Sequence, residues 1–215
     1  MKNRLAVVSS FNPSTTLLST VTKLQEYYSE FDIVIVDSDS EDFSVYGLLP
    51  PKCKVDYVKN KNYELGAWTY AFKTYPNYDV YMFIQDTLTP NCRIPHFDKN
   101  EYDNGTIYTF HFHQPLNAFG FFNESADVYR DSNLHFISKL DPSMPITGGA
   151  HTSFITNKEH VPTILQLEDA YIHKNVKKTK IDSLLSERTL GIMADTLPKR
   201  INIWDYFTKT HGNRI

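Results

Sequence analysis

The chain has 215 residues, of which 41% are hydrophobic and 22% charged, an ordinary globular balance that excludes a long disordered polymer. Lys and Arg number 22 against 25 Asp and Glu, a net charge of −3, so the basic excess of a nucleic-acid-binding protein is missing. No apolar run approaches the roughly 20 residues that span a bilayer, and one domain of this length buries a core without disulfide or metal staples.

Arg4 to Val8 reads as a short buried strand, and Ser9-Ser10-Phe11-Asn12-Pro13 as the loop after it. Ser14 or Thr15 can cap a helix that carries Leu17, Leu18, Val21, Leu24 and Tyr28 on one stripe. Asp32 opens the β-branched run Ile33-Val34-Ile35-Val36, whose continuity fits a strand covered on both faces of a parallel sheet. It ends at Asp37-Ser38-Asp39-Ser40. Strand, helix and strand in this order make a βαβ unit with a right-handed crossover. Lys54–Val58 is a third strand. Asn62 is expected to cap a helix running to about Tyr75, with Glu64 in its first turn. Val80–Ile84 is a fourth strand, followed by Gln85-Asp86-Thr87.

Beyond residue 90 the pattern is less regular. Ile107–His113 reads as a strand, residues around Glu124–Ser138 as a helix, Pro145–Ala150 as a loop and His151–Thr156 as a strand. Helices are expected over about 158–173 and 180–196, the second announced by a capping box, Thr179-Lys180-Ile181-Asp182. Asp182 reads as a cap, and Glu168 and Asp169 as solvated. Lys174, Lys177, Lys178 and Lys180 read as a solvated basic stretch. No repeat or linker divides the chain, so a single domain over residues 1–215 is expected.

Two cysteines, Cys53 and Cys92, make no disulfide framework, and the apolar stretch after the basic start is too short for a secretory leader. A cytoplasmic location is therefore expected. The sequons at Asn104 and Asn123 carry little weight without an export signal. The 14 Phe, 14 Tyr and 2 Trp serve a core first and stacking platforms second.

Ligands of open α/β sheets bind outside the carboxyl ends of the strands. Each early strand delivers polar residues there: Ser9 and Ser10, Asp37 and Asp39, Asn60 and Asn62, then Gln85 and Asp86. There is no Gly-x-Gly-x-x-Gly, no phosphate-binding Gly-x-x-x-x-Gly-Lys-Ser/Thr and no Gly-x-Ser-x-Gly elbow, which excludes the common dinucleotide, P-loop and serine-hydrolase sites. A nucleotide's anion would need another partner, such as a divalent metal on a rim carboxylate.

This ordered series resembles the GT-A-type nucleotide-sugar glycosyltransferases, in the shape of their small bacterial and large-DNA-virus members. The resemblance is most specific over residues 32–90. Ile33–Ser40 looks like the strand and acidic turn that hold base and ribose, Asn60–Trp68 like the Asn-rich entry to a small-residue helix, and Phe83–Leu88 like the strand ending in Asp-x-Asp. It implies an α/β, Rossmann-like single domain with a mainly parallel central sheet and helices on both faces. A nucleotide-binding half would be residues 1–90 and a sugar and acceptor half residues 91–215. The implied activity is sugar transfer from a nucleoside diphosphate sugar, UDP-linked first, to a hydroxyl on a glycan, with Mn²⁺ or Mg²⁺. The nucleotide would meet Ser9, Ser10, Phe11, Asp37, Asp39, Asn62, Gly66 and Gln85, with Ala67 also allowing close approach. Gly148, Gly149 and His151 would line the sugar and acceptor, Asp86 with His151 would hold the metal, and Glu187 would be the base in an inverting mechanism.

The sequence departs from the pattern at Leu88, which stands where the second acid of Asp-x-Asp belongs. Asp37-Ser38-Asp39 is a literal substitute, but its place after the second strand assigns it to the nucleoside. His111 and His113 share a face of their strand and are secondary metal candidates. The Gly148-Gly149 pair could also serve only a turn at positive φ. The incomplete acid motif keeps open a non-catalytic nucleotide- or carbohydrate-binding protein on the same fold. A nucleotidyltransferase would carry a Gly-rich basic loop where Ser9–Pro13 has neither.

Overall fold

The computed structural model describes residues 2–59, 62–97, 105–115, 134–172 and 180–210. The first layer follows the apolar runs closely: β1 is Arg4–Ser10, α1 Thr15–Tyr27, β2 Phe31–Ser38, β3 Cys53–Val58, α2 Tyr63–Thr74 and β4 Val80–Gln85. Ser14 caps α1, its hydroxyl accepting from the Thr16 N–H at 3.3 Å. Asn62 occupies the N-cap position of α2 but makes no side-chain cap bond, contrary to expectation. A short β5, Leu88–Pro90, follows, then β6, Thr106–Pro115, and β7, Pro145–Asn157. The chain closes with α3, Val161–Ile172, α4, Lys180–Ala194, β8, Lys199–Asn202, and β9, Phe207–Lys209.

Two further expectations are corrected, and three strands are added. Pro145–Ala150 is not a loop but the first half of the 13-residue β7. Leu134–Ser138 forms turns and part of a 3₁₀ helix, not the end of an α-helix. The strands β5, β8 and β9 had no counterpart in the sequence pattern, because three or four residues carry no measurable alternation. The expected helix over 124–133, the Thr179 cap, both sequon asparagines, Asn60 and Lys174–Lys178 lie outside the described residues.

Among the described residues, seven strands form one sheet in the order β3-β2-β1-β4-β7-β6-β8, and β5 pairs with β9 beside it. Of the seven, β7 alone runs against the others. The sheet is therefore covered on both faces, and its strands read as continuous apolar runs. Alternate residues face opposite layers. Ala6, Val8, Ile33 and Met82 pack with Leu17, Val21 and Leu24 of α1. Val7, Val34, Val36 and Phe83 pack with Leu65 and Trp68 of α2 and with Ile164 of α3 and Leu190 and Met193 of α4.

α4 reaches β7 through glycine. A Cβ on Gly191 would lie 2.1 Å from the Thr147 carbonyl oxygen and 2.6 Å from Gly148 Cα. A Cβ on Gly149 would lie 2.2 Å from the Leu190 side chain. The buried Arg200 of β8 fastens this seam. Its guanidinium donates to the carbonyls of Thr147 at 2.7 Å and Gly148 at 3.2 Å and to the carboxylate of Asp195 at 2.8 Å. Gly191→Ala, which forces backbone apart, is expected to destabilise the fold by about 1–3 kcal/mol or more. A urea titration with an unchanged slope and a lowered midpoint checks this.

Candidate functional site

Three strand ends meet at one edge of the sheet. At the end of β2, Asp37 is buried, 1% exposed. One carboxylate oxygen accepts from the Ser40 N–H at 3.0 Å, and the other accepts from the hydroxyls of Ser40 and Tyr46. Burial, with the Asp37 carboxylate beside it, pushes the Tyr46 hydroxyl well above its ordinary range, so it remains a donor. The Asn12 N–H donates to Ser40 Oγ at 2.7 Å, and Asn12 Oδ1 accepts from the Glu41 N–H at 2.9 Å. Asp37 thus stitches the loop after β2 to the loop after β1. The acid that faces solvent is Asp39, exposed and left-handed at φ 69°, a conformation Asp tolerates. Phe11 is exposed nearby in sequence, and Phe43 and Tyr57, both exposed, sit edge to face 5.3 Å apart.

At the end of β4, Gln85, Asp86 and Thr87 are all buried. The Ser10 hydroxyl donates to Asp86 Oδ2 at 3.0 Å, and the Asp86 N–H donates to the Ser9 carbonyl at 3.0 Å. Gln85 Nε2 donates to Glu64 Oε1 of α2 at 2.7 Å. Gln85 Oε1 accepts from the ammonium of Lys209 at 2.5 Å, which also donates to the Thr87 hydroxyl. Pairing of β5 with β9 puts Lys209 there, in register opposite Leu88, and the Thr210 N–H donates to the Thr87 carbonyl at 2.9 Å. Neither Lys209 nor Glu64 stood out as a site residue in the sequence. A lone lysine in a short terminal strand carries no pattern, and Glu64 reads as an ordinary first-turn acid.

The described donors at this strand end make up only part of a divalent cation's shell. Such an ion takes about six oxygen ligands. The strand end offers the Asp86 carboxylate, already accepting from Ser10, a neutral Gln85 with an ammonium on its oxygen, and an apolar, buried Leu88. Among the described residues no three His, Cys, Asp or Glu side chains cluster as a metal site.

The opposite wall is β7. It pairs with β4 only as far as Phe83 with Phe154. Against β6, Thr109 pairs with Phe154 and His111 with Gly149, so Phe110 alone spans Ala150–Ser153. Within this bulge His151 and Thr152 are consecutive left-handed residues, at φ 59° and 49°. Glu187 of α4 accepts the His151 N–H on Oε1 at 3.0 Å, and Trp68 of α2 donates from Nε1 to the Thr152 carbonyl at 3.0 Å. The structure therefore joins Glu187 and His151, and Trp204 packs edge-on against the His151 ring at 5.4 Å. Gly148 and Gly149 are not in a positive-φ turn. They make room for the Phe112 ring and for α4. Gly66 and Ala67 are buried in α2. The rings of His111 and His113 lie 5.8 Å apart on one face of β6, as expected. His111 is held below its ordinary pKa by burial and then by Arg200 and His113.

No family model matches the chain, and no curated protein matches its sequence. Solved structures do. Core-mannan synthase A from Aspergillus fumigatus, in its Mn/GDP form, superposes with a TM-score of 0.52 at 12% identity, over 97% of this chain and 74% of its own. A mannosyltransferase from Pyrobaculum calidifontis, in complex with GDP-Man and Mn²⁺, superposes with a TM-score of 0.56 at 9% identity, over 99% of this chain. This chain has the fold of the GT-A-type glycosyltransferases. It spans 58% of the length of the Pyrobaculum protein. The expected GT-A-like α/β sheet, mainly parallel with helices on both faces, is what the structure contains. Among the described residues, no helix is long and apolar enough to cross a membrane.

Trp68→Phe removes the indole donor from the buried Thr152 carbonyl while keeping most of the ring. It is expected to cost about 1–3 kcal/mol of stability. Faster hydrogen exchange at residues 151–153 than elsewhere in β7 would show that the loss is local.

Proposed function

We propose that the protein is a glycosyltransferase that moves a sugar from a nucleoside diphosphate donor to a hydroxyl of a glycan acceptor. The observation that carries the reading is the convergence, on one edge of a GT-A sheet, of the Ser10–Asp86 pair, the Lys209–Gln85 pair and the bulge of β7 held by Glu187. Residues 1–90 form the nucleotide half and 91–215 the sugar and acceptor half. Ser9, Ser10, Phe11, Asp39 and Asn62 belong to the base and ribose, with Asp37 fixing the loops that carry them. His151, with the Gly148-Gly149 strand beneath it, belongs to the sugar. Cys53 and Cys92 are free thiols, in keeping with a cytoplasmic enzyme.

In the reaction the acceptor oxygen forms a bond to the anomeric carbon as the bond from that carbon to the diphosphate breaks. The acceptor's proton must leave, and in an inverting enzyme Glu187 takes it. Its Oε1 is fixed by the His151 N–H, so the carboxylate is oriented before substrate arrives. If configuration is retained, Glu187 orients the sugar instead.

Glu187→Gln keeps an acceptor for the His151 N–H but not the basicity. It is expected to leave the melting temperature close to wild type and to lower turnover about 10²–10⁴-fold. Glu187→Ala should lose both stability and turnover. Near-normal turnover by the Gln variant would remove Glu187 as base. A thermal-shift panel of GDP- and UDP-sugars tests the donor class directly, since a ligand that binds only the folded state raises its melting temperature. A GDP or UDP response identifies the base, and the absence of any response would overturn the glycosyltransferase reading.

A further inference from the structure

Resting on the glycosyltransferase reading, we infer that Trp204 is the platform on which the acceptor's pyranose ring lies. β8 runs parallel to β6 and ends at Asn202 on the carboxyl edge of the sheet. The chain turns there through a 3₁₀ helix, Trp204–Tyr206, before β9 pairs with β5. The indole is fixed in place. The Trp204 backbone N–H donates to Asn202 Oδ1 at 3.2 Å, and its ring meets the buried Phe110 ring edge to face at 5.4 Å. Core filling alone does not call for a half-exposed indole here, because Phe110 and Phe207 already close this layer 5.0 Å apart. The two tryptophans also differ in their polar atom. Trp68 donates its indole N–H to the Thr152 carbonyl, whereas that of Trp204 has no acceptor among the described residues. Trp204 therefore presents a rigid apolar ring with one donor at its edge. A pyranose matches it, with a C–H face for the ring and an oxygen for the N–H.

The strand order decides which sugar this is. The loops assigned to the nucleoside follow β1 and β2, Gln85 and Asp86 end β4, and β7, β6 and β8 come next. Trp204 thus stands beyond the β7 bulge from the nucleotide end. In an inverting transfer the attacking oxygen and the leaving diphosphate lie on opposite sides of the anomeric carbon, so that far side belongs to the acceptor. His151 links the platform to the base: its N–H donates to Glu187 Oε1 at 3.0 Å, and its ring packs on Trp204. A sugar resting on Trp204 is one residue away from the carboxylate that takes its proton.

The test uses the fluorescence of the full chain, whose two tryptophans differ in exposure: Trp68 is fully buried and Trp204 half-exposed. Iodide, a charged quencher, reaches Trp204 and not Trp68. Methyl glycosides of mannose, glucose, galactose and N-acetylglucosamine are titrated with and without UDP or GDP. Sorbitol, which has the hydroxyls but no ring, is the control. At least one glycoside is expected to shield the indole from iodide, and sorbitol is not. By calorimetry that glycoside should bind Trp204→Leu about tenfold or more weakly than wild type, with Trp204→Phe, which keeps a ring without the N–H, in between. Quenching that no glycoside changes, or that sorbitol changes equally, would overturn the platform, as would unchanged affinity in Trp204→Leu. If UDP or GDP still raises the melting temperature in that case, the glycosyltransferase reading survives. Shielding by a glycoside in a protein that responds to no nucleotide would keep Trp204 as a sugar platform and overturn the transferase.

Discussion

Holding a threonine at positive φ costs on the order of 1 kcal/mol or more, and β7 does so at Thr152 directly after a left-handed His151. The surroundings offset that cost from two helices of one layer at once. α4 takes the His151 N–H through Glu187, and α2 supplies the Trp68 indole to the Thr152 carbonyl. Both helices must lie close for this to work, and α4 lies close because Gly149 and Gly191 have no side chain. The bulge, the glycines and the carboxylate are therefore one device. It turns β7 away from β4 beyond Phe83 and opens the sheet at the edge where Gln85 and Asp86 emerge.

The first layer was legible because burial on both faces leaves a direct trace. Ile33–Val36 and Val80–Ile84 are unbroken apolar runs, and each ends in polar residues that the structure places at the carboxyl edge. The polar ends of β1, β2 and β4 lie together at that edge. The second half was less legible for a physical reason. Gly148 and Gly149 look like turn residues in a sequence, yet the smallness of Gly148 serves the Phe112 ring and that of Gly149 a helix that arrives some 40 positions later. Asp37 and Asp39 are two positions apart and chemically identical, but one is a buried knot and the other a solvent-facing acid. Only the turn geometry separates them. Glu187 was named through the family resemblance, whereas its partner, a backbone N–H, has no sequence signature.

The rim divides its charges by depth. Acids that organise the loops are buried and hydrogen-bonded, as Asp37 and Asp86 are to neighbouring hydroxyls. The net charge of −3 gives the chain no long-range pull on an anionic ligand. Recognition of such a ligand must then come from short-range, oriented groups, which favours discrimination over speed of capture. Gln85 illustrates the economy: one neutral amide ties α2, β4 and β9 together without adding a charge.

The strand order also bears on how the chain is made. β4 lies between β1 and β7, so Val80–Gln85 has a partner on one side as soon as β1 has formed, but on the other only when residues 145–157 have been synthesised. Domains begin to assemble from the N-terminal side during translation. For that interval Val-Tyr-Met-Phe-Ile is an apolar strand edge with unpaired amides, the kind that pairs with other chains. A ribosome stalled, or a chain cleaved, before β7 would release a fragment with that edge uncovered, and the antiparallel strand thus also covers an apolar edge.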